Sequence, residues 1–178
     1  DVSSVLNISN CGIVNVRKVT QPAGETGNFS YMLQRLGGEA IDYAPRTSVT
    51  GTLVDDGDSA RLLVLPGDNY QLTEDLTGEP GFELQSISCS KPVAGTDGTT
   101  GFAVAMAQTT DCVITNELLT GTITVIKEVV NGFGGTAQPG DFCLALNDDE
   151  NTPAFPGDDT GTQFTFVIGN QYSVSEVA

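Results

Sequence analysis

The sequence predicts an all-β protein made of two tandem β-sandwiches, the second of them incomplete. Three observations support this prediction. Val, Ile, Thr, Phe and Tyr recur in short runs separated by 21 Gly and 8 Pro, a composition that favours strands and turns over helices. Apolar and polar residues alternate within these runs, as in half-buried strands. The order of the runs is repeated in the two halves of the chain, which indicates two copies of one fold.

The two halves contain matching strands in the same order. "GIVNVRKV" from Gly12 and "GTITVIKE" from Gly121 each place a Lys six positions after the Gly. The next strands are "GNFSYML" and "GDFCLAL", both with apolar residues at alternate positions. "RLLVLPGDNYQLTE" at 61–74 then matches "QFTFVIGNQYSVSE" at 163–176, each with a Tyr four positions before a Glu. Corresponding strands are therefore expected to occupy corresponding places in the two sandwiches.

The first copy continues through three further strands, "GFELQSISC", "GFAVAMA" and "DCVITN". We predict a complete sandwich over 12–120 and a truncated second one over 121–178 that lacks counterparts of these three strands. A sandwich without its closing strand has an unpaired edge, which a strand from elsewhere can fill. The stretches between strands are rich in Gly, Pro, Asn and Asp and predict loops, and no helix is predicted.

Residues 1–11 precede the first copy and predict a surplus strand that carries Val5, Leu6, Ile8 and Asn10. Its "VLNISN" ends like the closing strand "DCVITN", so that Asn10 corresponds to Asn116. Two interpretations remain open. In one, this strand completes the second sandwich of a neighbouring copy and builds a head-to-tail filament. In the other, the chain is a window of a longer tandem array, and these residues are the tail of a preceding repeat.

Composition excludes several classes of function. The 23 acidic and 7 basic residues give a net charge of −16, which opposes binding to nucleic acids. The sequence has no His, the usual neutral-pH base and zinc ligand, so an enzyme is not expected. No apolar run is long enough for membrane insertion. Four Cys in an acidic, β-rich and Lys-poor chain indicate an oxidising compartment.

The quoted motifs resemble the prealbumin-like, or Cna protein B-type, repeats of bacterial surface proteins, pilins and adhesin stalks, which have immunoglobulin-like sandwiches. The resemblance rests on "GIVNVRKV", "LPGDNYQLTE", "GFELQSISC" and "CVITN" in the first copy and on "GTITVIKE" and "GNQYSVSE" in the second. It implies a structural extracellular subunit whose partners are copies of itself. The alternative is an adhesin stalk or carbohydrate-binding repeat with a glycan or host-surface ligand, for which Tyr43, Tyr70 and Phe133 are candidate contacts.

The resemblance also implies a covalent cross-link. Some members of that family join a first-strand Lys to a last-strand Asn beside a Glu, and the matching residues are Lys18, Asn116 and Glu74. The alternative is that these residues have ordinary structural roles: Lys18 lies at a strand end, Glu74 caps a turn and Asn116 starts one. In a filament, Lys127, Glu176 and the Asn10 of a neighbour would repeat the constellation between subunits. Any chemistry is then single-turnover self-crosslinking.

The resemblance further implies a disulfide between Cys89 and Cys112. Cys11 and Cys143 remain, either as free thiols or bonded to each other or to another subunit, and alternation places Cys143 on an outer face. The acidic loop 147–159 suggests weak calcium candidates, but a solvated loop is favoured because the spaced Asp-x-Asp-x-Asp-Gly pattern is absent and no cofactor is expected. These candidates are Asp148, Asp149, Glu150, Asp158 and Asp159. Asn7 and Asn28 lie in Asn-x-Ser glycosylation triplets.

Overall fold

The computed structural model describes residues 10–91, 100–146 and 153–177. The chain divides into two compact units, Asp1–Leu118 and Leu119–Ala178. Strands and turns account for the regular structure, apart from short 3₁₀ segments, so the predicted all-β fold is confirmed. Across the described ranges, no helix is long and apolar enough to cross a bilayer.

Unit 1 consists of two four-stranded sheets, ordered β4-β1-β8-β6 and β3-β2-β5-β7. The first and last strands, β1 and β8, run parallel to each other, and the other neighbouring strands are antiparallel. The strands are β1 (Gly12–Gln21), β2 (Thr26–Arg35), β3 (Ser48–Asp55), β4 (Ser59–Val64), β5 (Gly67–Asp75), β6 (Phe82–Cys89), β7 (Thr100–Val104) and β8 (Thr109–Leu118).

The core of unit 1 lies between the two sheets and is built by strand alternation. Every second residue of β1, from Val14 to Thr20, points inward and is buried, as the period of two requires. Tyr70 of β5 and Phe102 of β7 are fully buried, with ring centroids 5.8 Å apart. The hydroxyl of Tyr70 donates to the carbonyl of Leu65, which satisfies its polar end, and burial raises its pKa to about 12.

The edge strand β3 was not predicted from the sequence. Its residues alternate only weakly, because Gly51 interrupts the pattern at a position that points toward the core. A Cβ atom on Gly51 would overlap the ring of Tyr31, the residue paired with it on β2. The glycine that weakens the strand pattern is therefore needed for the aromatic side chain to lie across the neighbouring strand.

The described residues of unit 2 form five strands in two small sheets, ordered β12-β9 and β11-β10-β13. The strand order reproduces β4-β1 and β3-β2-β5 of unit 1, strand for strand. Among the described residues, counterparts of β6, β7 and β8 are absent. The elements are β9 (Thr120–Val125), a 3₁₀ turn (Pro139–Asp141), β10 (Cys143–Leu146), β11 (Phe155–Pro156), β12 (Thr162–Val167) and β13 (Val174–Val177).

The inner face of unit 2 is only partly covered. Ile123 of β9 is 37 % exposed, whereas its counterpart Val14 in β1 is fully buried. Leu144 and Leu146 of β10 are buried, as are their counterparts on β2. Val14 packs in the same cluster as residues of β6, β7 and β8, and these strands have no counterpart among the described residues of unit 2 that could cover Ile123.

Candidate cross-linking site

Lys18 and Glu74 form an ion pair between the two sheets of unit 1. Lys18 is an inward residue of β1, and Glu74 lies on β5, where it pairs with Tyr31. The Lys18 Nζ lies 2.6 Å from Glu74 Oε1, and both side chains are 0 % exposed. Charged side chains are rarely buried to this degree unless they are paired.

Asn116 occupies the neighbouring strand on the same side of the core. Its backbone pairs with Thr20, and Lys18 pairs with Ile114 two residues earlier, so Lys18 and Asn116 are diagonal neighbours. Among the described residues, neither Nδ2 nor Oδ1 of Asn116 has a hydrogen-bond partner, and Glu74 Oε2 also has none. Each unpartnered buried polar atom costs about 1–3 kcal/mol, so three in one place demand an explanation.

Phe29 shields the lysine. The Lys18 Nζ lies 3.8 Å from the centroid of the Phe29 ring, and the Phe29 and Phe82 rings pack nearly perpendicular to each other with their centroids 5.0 Å apart. Burial lowers the pKa of the Lys18 amine, and the hydrogen bond and charge of Glu74 oppose this shift. The uncharged form of the Lys18 amine is therefore more favoured in this site than it is in water. This role of Phe29 was not predicted from the sequence; its place in the repeated "GNF" and "GDF" motifs was the available signal.

Unit 2 has the same arrangement of a lysine, a glutamate and a phenylalanine, but there the ion pair is partly exposed to solvent. Lys127 Nζ lies 2.7 Å from Glu176 Oε2 and 4.2 Å from the ring centroid of Phe142. Glu176 pairs with Leu144 of β10, as Glu74 pairs with Tyr31 of β2. However, the Lys127 and Glu176 side chains are 21 % and 49 % exposed, whereas those of Lys18 and Glu74 are fully buried.

Further details are common to both units. The backbone N–H of Lys127 donates to the carbonyl of Asp158 at 2.9 Å, as that of Lys18 donates to Asp58. The hydroxyl of Tyr172 donates to the carbonyl five residues earlier at 2.8 Å, as the hydroxyl of Tyr70 does. The lysine, the glutamate, the covering phenylalanine and the nearby tyrosine are therefore placed by the same local fold twice.

The third member of the constellation differs between the units. In unit 1 it is Asn116 on β8, but β9 of unit 2 has only β12 as a neighbour within the described ranges. Asn10, the predicted donor residue, is exposed and lies in a 3₁₀ segment directly before β1. Val5, Leu6, Ile8 and the glycosylation candidate Asn7 lie outside the described residues.

The four cysteines fall into two groups. Cys89 and Cys112 face each other on β6 and β8 and form a disulfide. Cys11 and Cys143 are both free within the chain, and Cys143 is exposed. The structure thus contains the pairing implied by the resemblance, and no bond joins Cys11 to Cys143 within one chain.

Removal of the disulfide is expected to destabilise unit 1 without changing its fold. The two cysteines are separated by 23 residues, and cross-links that close loops of this size contribute about 3 kcal/mol. Cys89→Ala combined with Cys112→Ala should lower the free energy of unfolding by that amount in denaturant titrations. Cys11→Ser is the control and should leave it unchanged. An unchanged denaturation midpoint in the double variant would contradict a stabilising role for this disulfide.

The remaining candidate sites are less organised. Asp158 accepts hydrogen bonds from the side chain and backbone of Thr160 and from the backbone of Gly161, and these bonds lower its pKa. Asp158 therefore shapes a turn. No metal-binding group of three acidic or cysteine residues occurs in the part of the chain that the structure describes. Asp148, Asp149 and Glu150 lie outside it, Asp159 is exposed, and the glycosylation candidate Asn28 is exposed on β2.

One candidate glycan contact is wrong. Tyr70, one of the three candidate contacts, lies on β5 and is fully buried, and its hydroxyl is satisfied by a backbone carbonyl inside the fold. Tyr43 and Phe133 are exposed. They lie in different units. The rings that contact one another in unit 2 are those of Phe155, Phe164, Phe166 and Tyr172, which are half-buried and have successive centroid separations of 4.8, 6.1 and 4.1 Å.

A family model described as a prealbumin-like fold domain matches residues 14–118. The chain belongs to the family of prealbumin-like fold domains. The match covers more than half of the chain and includes Lys18, Glu74 and Asn116, so the predicted resemblance is confirmed. Unit 2 lies outside the matched prealbumin-like region.

Two solved structures of the major pilin from Streptococcus pyogenes are similar to this prealbumin-like chain. An asparagine-to-alanine variant aligns with a TM-score of 0.40 and 14 % identity, covering 93 % of this chain and 77 % of the pilin chain. A glutamate-to-alanine variant aligns with a TM-score of 0.39 and 14 % identity, covering 96 % and 83 %. No curated protein matches the sequence.

Proposed function

We propose that this chain is a structural extracellular or cell-surface subunit, not an enzyme, that joins copies of itself into a linear fibre. Unit 1 is a β-sandwich that is cross-linked internally by an isopeptide bond, called the weld below. Unit 2 is an acceptor β-sandwich that a strand from another copy completes. One observation carries the proposal: each unit holds a Lys–Glu pair against a Phe ring, but within the described ranges only the pair of unit 1 has an asparagine on a neighbouring strand.

The weld in unit 1 is an isopeptide bond between Lys18 and Asn116. The uncharged Lys18 amine attacks Cγ of Asn116, the Cγ–Nδ2 bond breaks, and an Nζ–Cγ amide forms while ammonia leaves. The Glu74 carboxyl takes a proton from the paired Lys18 before the attack, gives it to the departing Nδ2 and takes another from the attacking nitrogen, so Glu74 is protonated when ammonia has left. No cofactor or water is consumed.

The unpartnered polar atoms support this reaction. Formation of the bond removes Nδ2 of Asn116 altogether, and it leaves the carbonyl oxygen as an acceptor for a protonated Glu74 carboxyl. Before the reaction the same atoms are buried without partners. The three unpartnered atoms therefore cost free energy if the site is only part of the core. In the cross-linked site, Nδ2 is gone and the remaining oxygens can share a hydrogen bond.

In unit 2 we propose that the segment "VLNISN" of another copy pairs with the edge formed by the end of β9 and by residues 126–129, which follow it. In unit 1, β8 lies parallel to β1 with Ile114 opposite Lys18 and Asn116 opposite Thr20. The same register places Ile8 of the incoming strand opposite Lys127 and Asn10 opposite Val129. Lys127, Glu176 and Asn10 then form the second weld, and docking of the strand supplies the burial that Lys127 and Glu176 lack.

The same register argues against a bond between Cys11 and Cys143 of two copies. Their counterparts in unit 1 are Glu117, on the outer face of β8, and Ser30, on the outer face of β2. These strands belong to opposite sheets with the core between them. Such a disulfide is therefore not included in the proposed fibre.

The alternative is a stalk or carbohydrate-binding segment of a longer tandem-repeat surface protein. It is favoured by the twofold occurrence of the Lys–Glu–Phe arrangement, since repeats in one polypeptide also produce it. In that case, the strand beside β9 belongs to the same polypeptide, and the two proposals differ in whether isolated chains associate.

Deletion of residues 1–10 tests the proposal. Electron microscopy of the unmodified chain should show filaments, and the deletion variant should remain monomeric because it has no donor strand. Unit 1 retains both of its sheets in the deletion variant, so circular dichroism should be unchanged. Normal filaments from the deletion variant would overturn strand exchange, and monomers from the unmodified chain would favour the tandem-repeat alternative.

A further inference from the structure

Two apolar side chains of unit 2 are exposed on a loop that is itself well held. Val130 is 95 % exposed and Phe133 is fully exposed. The loop is closed by Asn131, whose side-chain amide donates to the carbonyl of Ala137 at 2.9 Å and accepts from its N–H at 3.1 Å. The two side chains are thus presented to solvent on a fixed backbone, which is typical of a contact surface.

Phe133 is also strained. Its φ of 53° lies in the left-handed region, which is unfavourable for a bulky residue. In unit 1 the residue six positions after the lysine is Gly24, with a φ of 94°, and in unit 2 the residue six positions after the lysine is Phe133. Folding alone favours glycine at such a position, and strained residues concentrate at functional surfaces.

The register of unit 1 shows what would lie beside this loop in a fibre. Gln21 of β1 pairs with Glu117, the residue that follows Asn116. The counterpart of Gln21 is Val130, and the residue that follows Asn10 is Cys11. An incoming strand therefore places its Cys11 opposite Val130.

Cys11 is attached to a turn with an exposed apolar side chain. Its carbonyl accepts a hydrogen bond from the N–H of Ala107 at 2.9 Å, in the turn between β7 and β8. The neighbouring Met106 is 57 % exposed. Because Cys11 alone separates Asn10 from Gly12, where β1 begins, the neighbour's turn lies close to the acceptor's loop.

We propose that Val130 and Phe133 of one copy pack against Met106 of the next copy, whose strand occupies unit 2. This inference rests on the proposed strand exchange and names the contact that accompanies it. A thioether packs favourably against an aromatic ring, and Met and Phe are enriched in protein interfaces. The contact explains why a phenylalanine occupies a glycine-like position and why Gln21 is replaced by an apolar residue in the second unit.

The Phe133→Gly variant tests the contact between copies without disturbing the fold of the single chain. The substitution relieves the left-handed strain, so the thermal stability of the monomer should be unchanged or slightly raised. The concentration needed for filament formation should rise about tenfold, as for loss of an aromatic residue that contributes strongly to an interface. Tyr43→Gly, which removes an exposed aromatic residue from unit 1, is the control and should assemble normally.

Engineered disulfides test the placement directly. In a Cys11→Ser, Cys143→Ser background, Met106→Cys with Val130→Cys should give an intersubunit ladder when filaments are oxidised. Met106→Cys with Val54→Cys, another exposed valine, should not. If filaments form but neither Phe133→Gly nor the Val130 pair differs from its control, the contact is refuted and strand exchange stands. If the unmodified chain forms no filaments, both are refuted.

Discussion

Asn116→Ala should abolish the weld of unit 1 and lower its melting temperature by about 20 °C. The cross-link closes the chain from Lys18 to Asn116, and constraints on loops of this length contribute about 4–5 kcal/mol. The substitution leaves the Lys18–Glu74 ion pair in place and removes an amide that has no partner among the described residues. The loss of stability would therefore report the missing bond and not a broken ion pair.

Intact mass measures the bond independently of stability. The unmodified chain should weigh one ammonia molecule less than its sequence for the unit 1 weld, after correction for the two hydrogens of the Cys89–Cys112 disulfide, and Asn116→Ala should show no such deficit. Asn69→Ala, which changes an exposed asparagine of β5, should retain both the deficit and the melting temperature. An unmodified chain at its full sequence mass, with a variant that melts at the same temperature, would contradict the weld.

Lys127→Arg should eliminate every covalent oligomer. Arginine keeps the positive charge beside Glu176, but its guanidinium cannot replace the attacking amine. Filaments of this variant should still form through strand pairing and should dissociate into single chains in denaturing, reducing gels. The unmodified chain should give a ladder under the same conditions.

The matched control for this variant is Lys91→Arg. Lys91 lies in unit 1, where its amine donates to the Gln108 side chain and has no proposed role in the weld. The ladder should persist in this control. A ladder that also persists in Lys127→Arg would show that the covalent linkage uses another residue.

Much of the candidate site could be predicted from the sequence because strand alternation is a strong constraint. Lys18 and Asn116 have the same parity as the apolar residues of β1 and β8, so their burial follows from the period of two. The repeat of the Tyr-x-x-x-Glu pattern likewise placed Glu74 and Glu176 in corresponding positions. Local pattern was sufficient where a side chain's direction depends on its own strand.

The rest depended on contacts between distant parts of the chain. Alternation could not show that Phe29 covers Lys18, because their contact joins two different sheets. The strand β3 was missed because Gly51 makes room for a ring on another strand. Tyr70 was wrongly taken as a glycan contact because its burial depends on packing against Phe102, which lies on a strand distant in the sequence.

Mixing two complementary variants tests the central claim most directly. Asn10→Ala has an intact acceptor but no donor amide, and Lys127→Arg has an intact donor but no acceptor amine. Neither alone should form covalent oligomers, and their mixture should give one covalent dimer that grows no further, with a peptide linking Lys127 to Asn10. A mixture of folded variants that yields no dimer, or one that yields a ladder, would contradict the proposed welding of copies by strand exchange.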